Sequence, residues 1–133
     1  MTALFTDGTA PSLTDIKKIL ETIRLPFITE EYEIQDIIAQ TLVAHKIHYI
    51  KEYKLAPRNR IDFFLPGTGI GIEVKKKKPN YTQTYNQLSR YTSFPEIGGI
   101  LLVVERTLTG LPPSINNKPC QVIGLNRLWG VAI

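Results

Sequence analysis

The amino-acid sequence predicts an α/β (α+β) domain in which one mixed central sheet is flanked by helices, with elements in the order α-α-β-β-β-α-β-β. Three observations carry this. Near Ile47 the apolar period changes from helical spacing to loose alternation. The stretch RIDFFLPGTGIGIEVK, Arg60 to Lys75, sets two apolar runs around a Pro-Gly-Thr-Gly turn. The run GGILLVVE from Gly98 is apolar throughout, the pattern of a strand covered on both faces.

Residues 1–11 read as a loose arm. SLTDIKKILETIR predicts a short helix: Ser12 and Asp15 have capping-box spacing, Ile16, Ile19, Leu20 and Ile23 recur at helical intervals, and Pro26 ends it. TEEYEIQDIIAQTLVAHK predicts a second helix, capped by Thr29, with Ile34, Ile37, Ile38 and Leu42 as its stripe. A strand follows from Ile47 to Leu55, then the turn APRN, then the strands RIDFFL and GIGIEVK. YTQTYNQLSRYTSF is a helix ending before Pro95, and the run from Gly98 is the next strand. TGLPPSINNKP is a loop, and CQVIGLNRLWGVAI holds a last strand.

The totals fit one domain of 133 residues, with ordinary globular fractions of 43% hydrophobic and 21% charged residues. A net charge of +4 and a pI near 9.2 permit a nucleic-acid partner without demanding one. Cys120 stands alone, so no disulfide forms within the chain. The N-terminus lacks the pattern of a signal peptide, and no apolar run reaches the roughly 18 residues that span a bilayer. A soluble cytoplasmic protein with no membrane partner is expected.

Centring the hairpin on Gly67–Thr68 opposes Ile61 to Val74, Phe63 to Ile72 and Leu65 to Ile70, six residues on one apolar side. The other side then opposes Asp62 to Glu73, Phe64 to Gly71 and Arg60 to Lys75. Two carboxylates would stand with Cβ atoms about 4.5–5.5 Å apart, which is destabilising unless offset. A turn at Pro66–Gly67 makes the pair diagonal but keeps it on one face. A divalent cation offsets the repulsion, because hard cations take carboxylate oxygens. Lys75 shares the face of Glu73 and can balance charge there.

RID, ten intervening residues, then EVK resembles the metal site of the PD-(D/E)xK nuclease superfamily, the restriction-endonuclease-like fold. The proline of the family name is replaced by Ile61. The helix from Glu31 resembles the one that brings a further acid in that superfamily, with Glu30 a rival to Glu31. QLSRY, Gln87 to Tyr91, resembles the Q-x-x-x-Y motif of its exonuclease-like branch. The resemblance covers about residues 29–104.

It implies a metal-dependent deoxyribonuclease using Mg2+, with Mn2+ substituting, and an endonuclease is favoured over an exonuclease. Asp62 and Glu73 would be metal ligands, with the Val74 carbonyl as a third. Lys75 would position or polarise the attacking water, and Glu31 would hold a metal-bound water or second ion. Gln87 would orient Lys75 or bind phosphate, and Tyr91 would support the helix or contact the DNA backbone. Small phage, mobile-element and junction-resolving members have this size, and a homodimer would let such an enzyme cut two strands of DNA, whether duplex, single-stranded or branched.

From the residues themselves, Lys76, Lys77 and Lys78, with Lys51, Lys54, Arg58 and Arg60, read as a basic rim for phosphates. Tyr81, Tyr85 and Tyr91 are candidates for stacking on unpaired bases. Plainer readings stand beside these. The acid–lysine cluster could be a solvated ion-pair group, Glu31 an acid complementing a helix start, Gln87 a solvated helix residue, Tyr91 a core-edge aromatic, and the lysine run a solvated strand end. His45 and His48 fit packing or solvent better than metal ligation, and Cys120 and Trp129 read as packing residues. Two other functions compete: a non-catalytic DNA-binding or assembly subunit, and an interaction domain whose acid pair is accidental.

Overall fold

The computed structural model describes residues 10–23, 30–76, 79–105 and 108–124. Helix α1 (Leu13–Leu20) starts with the expected capping box: Ser12 Oγ accepts from the Asp15 amide at 3.1 Å, and the Asp15 carboxylate accepts from the Ser12 amide at 2.9 Å. Helix α2 (Glu31–Ala44) is preceded by Glu30, whose amide donates to the Glu33 carboxylate at 3.0 Å. Thr29, the expected cap, lies outside the described residues, as do Pro26, Trp129, Lys77 and Lys78.

Strand β1 (Ile50–Ala56) starts later than the Ile47 expected from the alternation. Ile47 instead closes α2. Its amide donates to the Leu42 carbonyl and that of Lys46 to the Val43 carbonyl, both at 2.9 Å, with Lys46 left-handed at φ +59°. This is a Schellman end, and it buries Ile47 against the helix it terminates.

Strands β2 (Asn59–Leu65) and β3 (Ile70–Lys75) form the hairpin, and α3 (Tyr81–Thr92) crosses to β4 (Gly99–Val104). The Asn80 side chain caps α3 by accepting from the Gln83 amide at 2.9 Å. The segment expected to be a loop contains a short strand, β5 (Ser114–Ile115), hairpinned to β6 (Lys118–Gly124). Asn116 and Asn117 both have positive φ, +54° and +62°, as a two-residue primed turn requires. The order is thus α-α-β-β-β-α-β-β-β, one strand longer than predicted.

The fold is α+β, with, among the described residues, three helices on a mixed sheet of order β1-β2-β3-β4-β6-β5. β1–β2, β2–β3 and β5–β6 pair antiparallel; β3–β4 and β4–β6 pair parallel. α1 and α2 share one core with Phe63, Leu65, Ile72 and Val74. α3 shares the other with Ile61, Phe64, Ile100 and Leu102. All six residues of β4 are buried, as its unbroken apolar run predicts. Among the described residues no helix is long and apolar enough to cross a membrane.

The predicted register holds at Phe63–Ile72, Phe64–Gly71 and Leu65–Ile70. The expected pairs Asp62–Glu73, Ile61–Val74 and Arg60–Lys75 do not form. Ile61 does not join the face of Phe63 and Val74 but packs in the α3-side core. The alternation of β2 slips at Asp62, next to the β1 residue Glu52, which is left-handed at φ +53°. Gly71 makes the room: a Cβ there would collide with Ile61 Cδ1.

At the turn, Gly69 has φ +74°, and a Cβ would meet the Gly98 amide nitrogen at 3.1 Å. Its carbonyl accepts from the Gly98 and Gly99 amides, which ties the turn to β4. Gly69→Ala should therefore cost about 1–2 kcal/mol, measured as a lower denaturant midpoint at unchanged slope.

Candidate functional site

Beyond Phe63–Ile72 the β2–β3 pairing stops, and side chains take over the backbone groups. The Val74 amide donates to Asp62 Oδ2 at 2.7 Å, and the Asp62 amide donates to Glu73 Oε1 at 3.3 Å. Each carboxylate thus satisfies an amide of the opposite strand. The Lys75 carbonyl accepts from the Glu105 amide at 3.0 Å, toward β4. Alternation along β3 turns the Val74 carbonyl the other way, toward β2 and the acids.

Glu73 Oε2 meets two donors, Lys75 Nζ at 3.4 Å and Gln87 Nε2 at 3.3 Å. Gln87 Nε2 also donates to the Tyr91 hydroxyl at 3.0 Å, and that hydroxyl donates to the Arg60 carbonyl at 2.9 Å. One turn of α3 therefore links β3 to the backbone of β2. Tyr91 needs correcting as a DNA-contacting residue. It is 3% exposed and its hydroxyl is engaged, so it supports the site from within and its ring is not offered to a ligand.

Burial pushes both acids above the ordinary carboxylate range, Asp62 to about 6 and Glu73 to about 7. For Glu73 the charge of Asp62 adds to burial, while Lys75 opposes it. For Asp62 the bond from the Val74 amide opposes burial, and Glu31 adds to it. The folded acids hold protons that the unfolded chain has released above about pH 4. The pair therefore stabilises the fold fully below that pH, and this contribution is lost as pH rises through 6 to 7. The metal-free protein should melt at a lower temperature at pH 8 than at pH 5, and Glu73→Gln should flatten the difference. Equal slopes in both proteins would show that these acids titrate normally.

An open cleft of about 630 Å³ lies across this end of the sheet. Glu30 and Glu31 line one wall; Lys75, Lys76, Asn80, Gln83, Gln87 and Arg90 are among the residues of the other. Asp62 and Glu73 are not lining residues; Glu73, 5% exposed, lies behind Lys75 and Gln87, which both meet its carboxylate. Glu31 is exposed and accepts from Gln35 Nε2 at 3.4 Å. Among the described residues no group of three or more His, Cys, Asp or Glu is arranged to hold a metal ion. The donors present are hard oxygens: two carboxylates forced together and the Val74 carbonyl turned toward them. Their chemistry fits a divalent cation such as Mg2+.

The chain matches no protein-family model, and no curated protein or solved structure matches it significantly.

The expected basic rim is only partly gathered. Arg60 pairs with Glu52 at 3.2 Å, and Lys76 reaches Glu105 at 3.8 Å. Lys51 lies over the Phe63 ring at 5.9 Å, Lys54 is exposed beside Arg60, and Arg58 is exposed in the β1–β2 turn. Tyr81 stacks on Tyr85, and its hydroxyl donates to the Gly110 carbonyl at 2.9 Å. Gln83 and Arg90 were not singled out by the sequence. The signal was available, since they sit one turn either side of Gln87 on the same helix face.

Proposed function

We propose that the chain is a divalent-metal-dependent deoxyribonuclease built on a PD-(D/E)xK-type, restriction-endonuclease-like core, with endonuclease action favoured. The observation that carries this reading is the pair Asp62 and Glu73, held against each other in a desolvated seam with Lys75 paired to Glu73. Asp62, Glu73 and the Val74 carbonyl would hold Mg2+ or Mn2+, with Glu31 across the cleft acting through a water or a second ion. When bound, the cation supplies a water of lowered pKa and neutralises charge at the phosphate.

The chain's own residues have separate tasks. Lys75 Nζ keeps a cation at the cleft wall, where it can orient the attacking water and balance charge growing on phosphate oxygens. Gln87, fixed by Tyr91, holds the Glu73 carboxylate in one orientation. The cores on both faces keep bulk water from behind the acids. A homodimer, which would present two sites to two strands, belongs to the same reading and is checked by light scattering.

A non-catalytic DNA-binding or assembly subunit is the second reading. The observation on its side is that Lys75 and Gln87 already engage Glu73 Oε2 and that among the described residues no third acid joins the pair. Cleavage assays decide. Supercoiled plasmid, linear duplex, single-stranded and four-way-junction DNA should be offered with Mg2+, with Mn2+ and with chelator. Cutting that needs the metal is expected. DNA bound but uncut in either metal would transfer the assignment to the subunit.

A further inference from the structure

The two walls of the cleft differ in charge. The α2 wall offers the carboxylates of Glu30 and Glu31; the wall of β3 and α3 offers Lys75, Lys76 and Arg90 with the amides of Asn80 and Gln83. An anion can lie only along the second. Lys75 is drawn to Glu73 and Lys76 to Glu105. Among the described residues no hydrogen bond or ion pair engages the Arg90 guanidinium, and the side chain is exposed. Gln83, Gln87 and Arg90 recur one turn apart, so their side chains share one face of α3. From Asn80 to Arg90 that face runs about 15 Å. A cleft of about 630 Å³ has the size of a small-ligand site. A few nucleotides of one strand match that volume.

We propose that this face of α3 is the phosphate track for an unpaired nucleic-acid strand, with Arg90 as its anchor and Gln83 as a second contact. The inference deepens the nuclease reading by naming the part of the substrate that enters the site. Arg90 is a positioning residue here. Its planar guanidinium suits a phosphate bidentately, where Lys would supply only a point charge.

The test is binding of a fluorescent single-stranded octamer and of the same sequence as duplex, in chelator, at several salt concentrations. The wild type should prefer the single strand. Arg90→Ala should weaken that binding about tenfold and lower the slope of log K against log salt by about 0.7, one phosphate contact on a single strand. Arg90→Lys should recover the slope and only part of the affinity, and Gln83→Ala should weaken binding without changing the slope. Lys18→Ala, an exposed cation on α1, should change neither. Arg90 could instead serve only to complement the C-terminal end of α3; its loss would then lower the melting temperature and leave the salt slope intact. That result, or preference for the duplex, would overturn the proposal. Because no cleavage is needed, the two readings fail separately. Arg90-dependent binding without metal-dependent cutting removes the nuclease and keeps the track; cutting indifferent to Arg90 does the reverse.

Discussion

Glu73→Gln and Asp62→Asn should each lower metal-dependent cleavage by roughly a thousandfold or more, since each removes a charged ligand worth several kcal/mol of transition-state stabilisation. The choice of variant follows from the seam. Asp62 Oδ2 accepts the Val74 amide, and an asparagine oxygen can do the same. Asp62→Ala would leave that amide without an acceptor, at a cost of about 1–3 kcal/mol, and would confuse lost chemistry with lost structure. At pH 8 both isosteric variants should melt at or above the wild-type temperature, because each removes one of two like charges held in a desolvated place. The measurement is single-turnover cleavage beside a thermal melt. Wild-type rates in either variant would end the assignment of these acids to catalysis.

Lys75→Met should separate binding from rate. The ammonium sits 3.4 Å from Glu73 Oε2, where it competes with any cation for that oxygen. Without it, Mn2+ should bind the pair more tightly, by calorimetry, while cleavage falls about 10²–10³-fold, the loss typical of removing one electrostatic stabiliser. The opposite directions of the two changes are diagnostic. If affinity and rate fall together, Lys75 is a structural counter-ion that holds Glu73 in place. If neither moves, it has no part in the site.

Much of this site was legible because its causes are short-range. The alternation of apolar residues and the PGTG turn set the hairpin register as far as Phe63–Ile72, and beyond it the bonds of the two carboxylates to opposite-strand amides bring Asp62 and Glu73 together. The one face that was misassigned, that of Ile61, depends on the left-handed Glu52 of a neighbouring strand, which no period in β2 records. The end of α2 consumed Ile47 because a Schellman turn needs a residue whose apolar side chain also suits a strand. β5 is only two residues long, too short for any period, although the Asn-Asn pair that turns it was visible. Spacing placed Gln87 and Tyr91 on one face of α3 but could not give depth. Only packing shows Gln87 reaching Glu73 while Tyr91 is buried beneath.

The stitching of Asp62 and Glu73 into the sheet has a consequence for how this chain can change over time. In most sites a residue released from its task is free to drift. Here the same oxygens close the gap between two strands, so abandoning the task does not release the position. A descendant that had stopped using the site would still be held to an acceptor at residue 62, with asparagine open to it and alanine penalised. The polar seam would outlast whatever chemistry it serves, and its presence in a relative would testify to ancestry before it testified to activity.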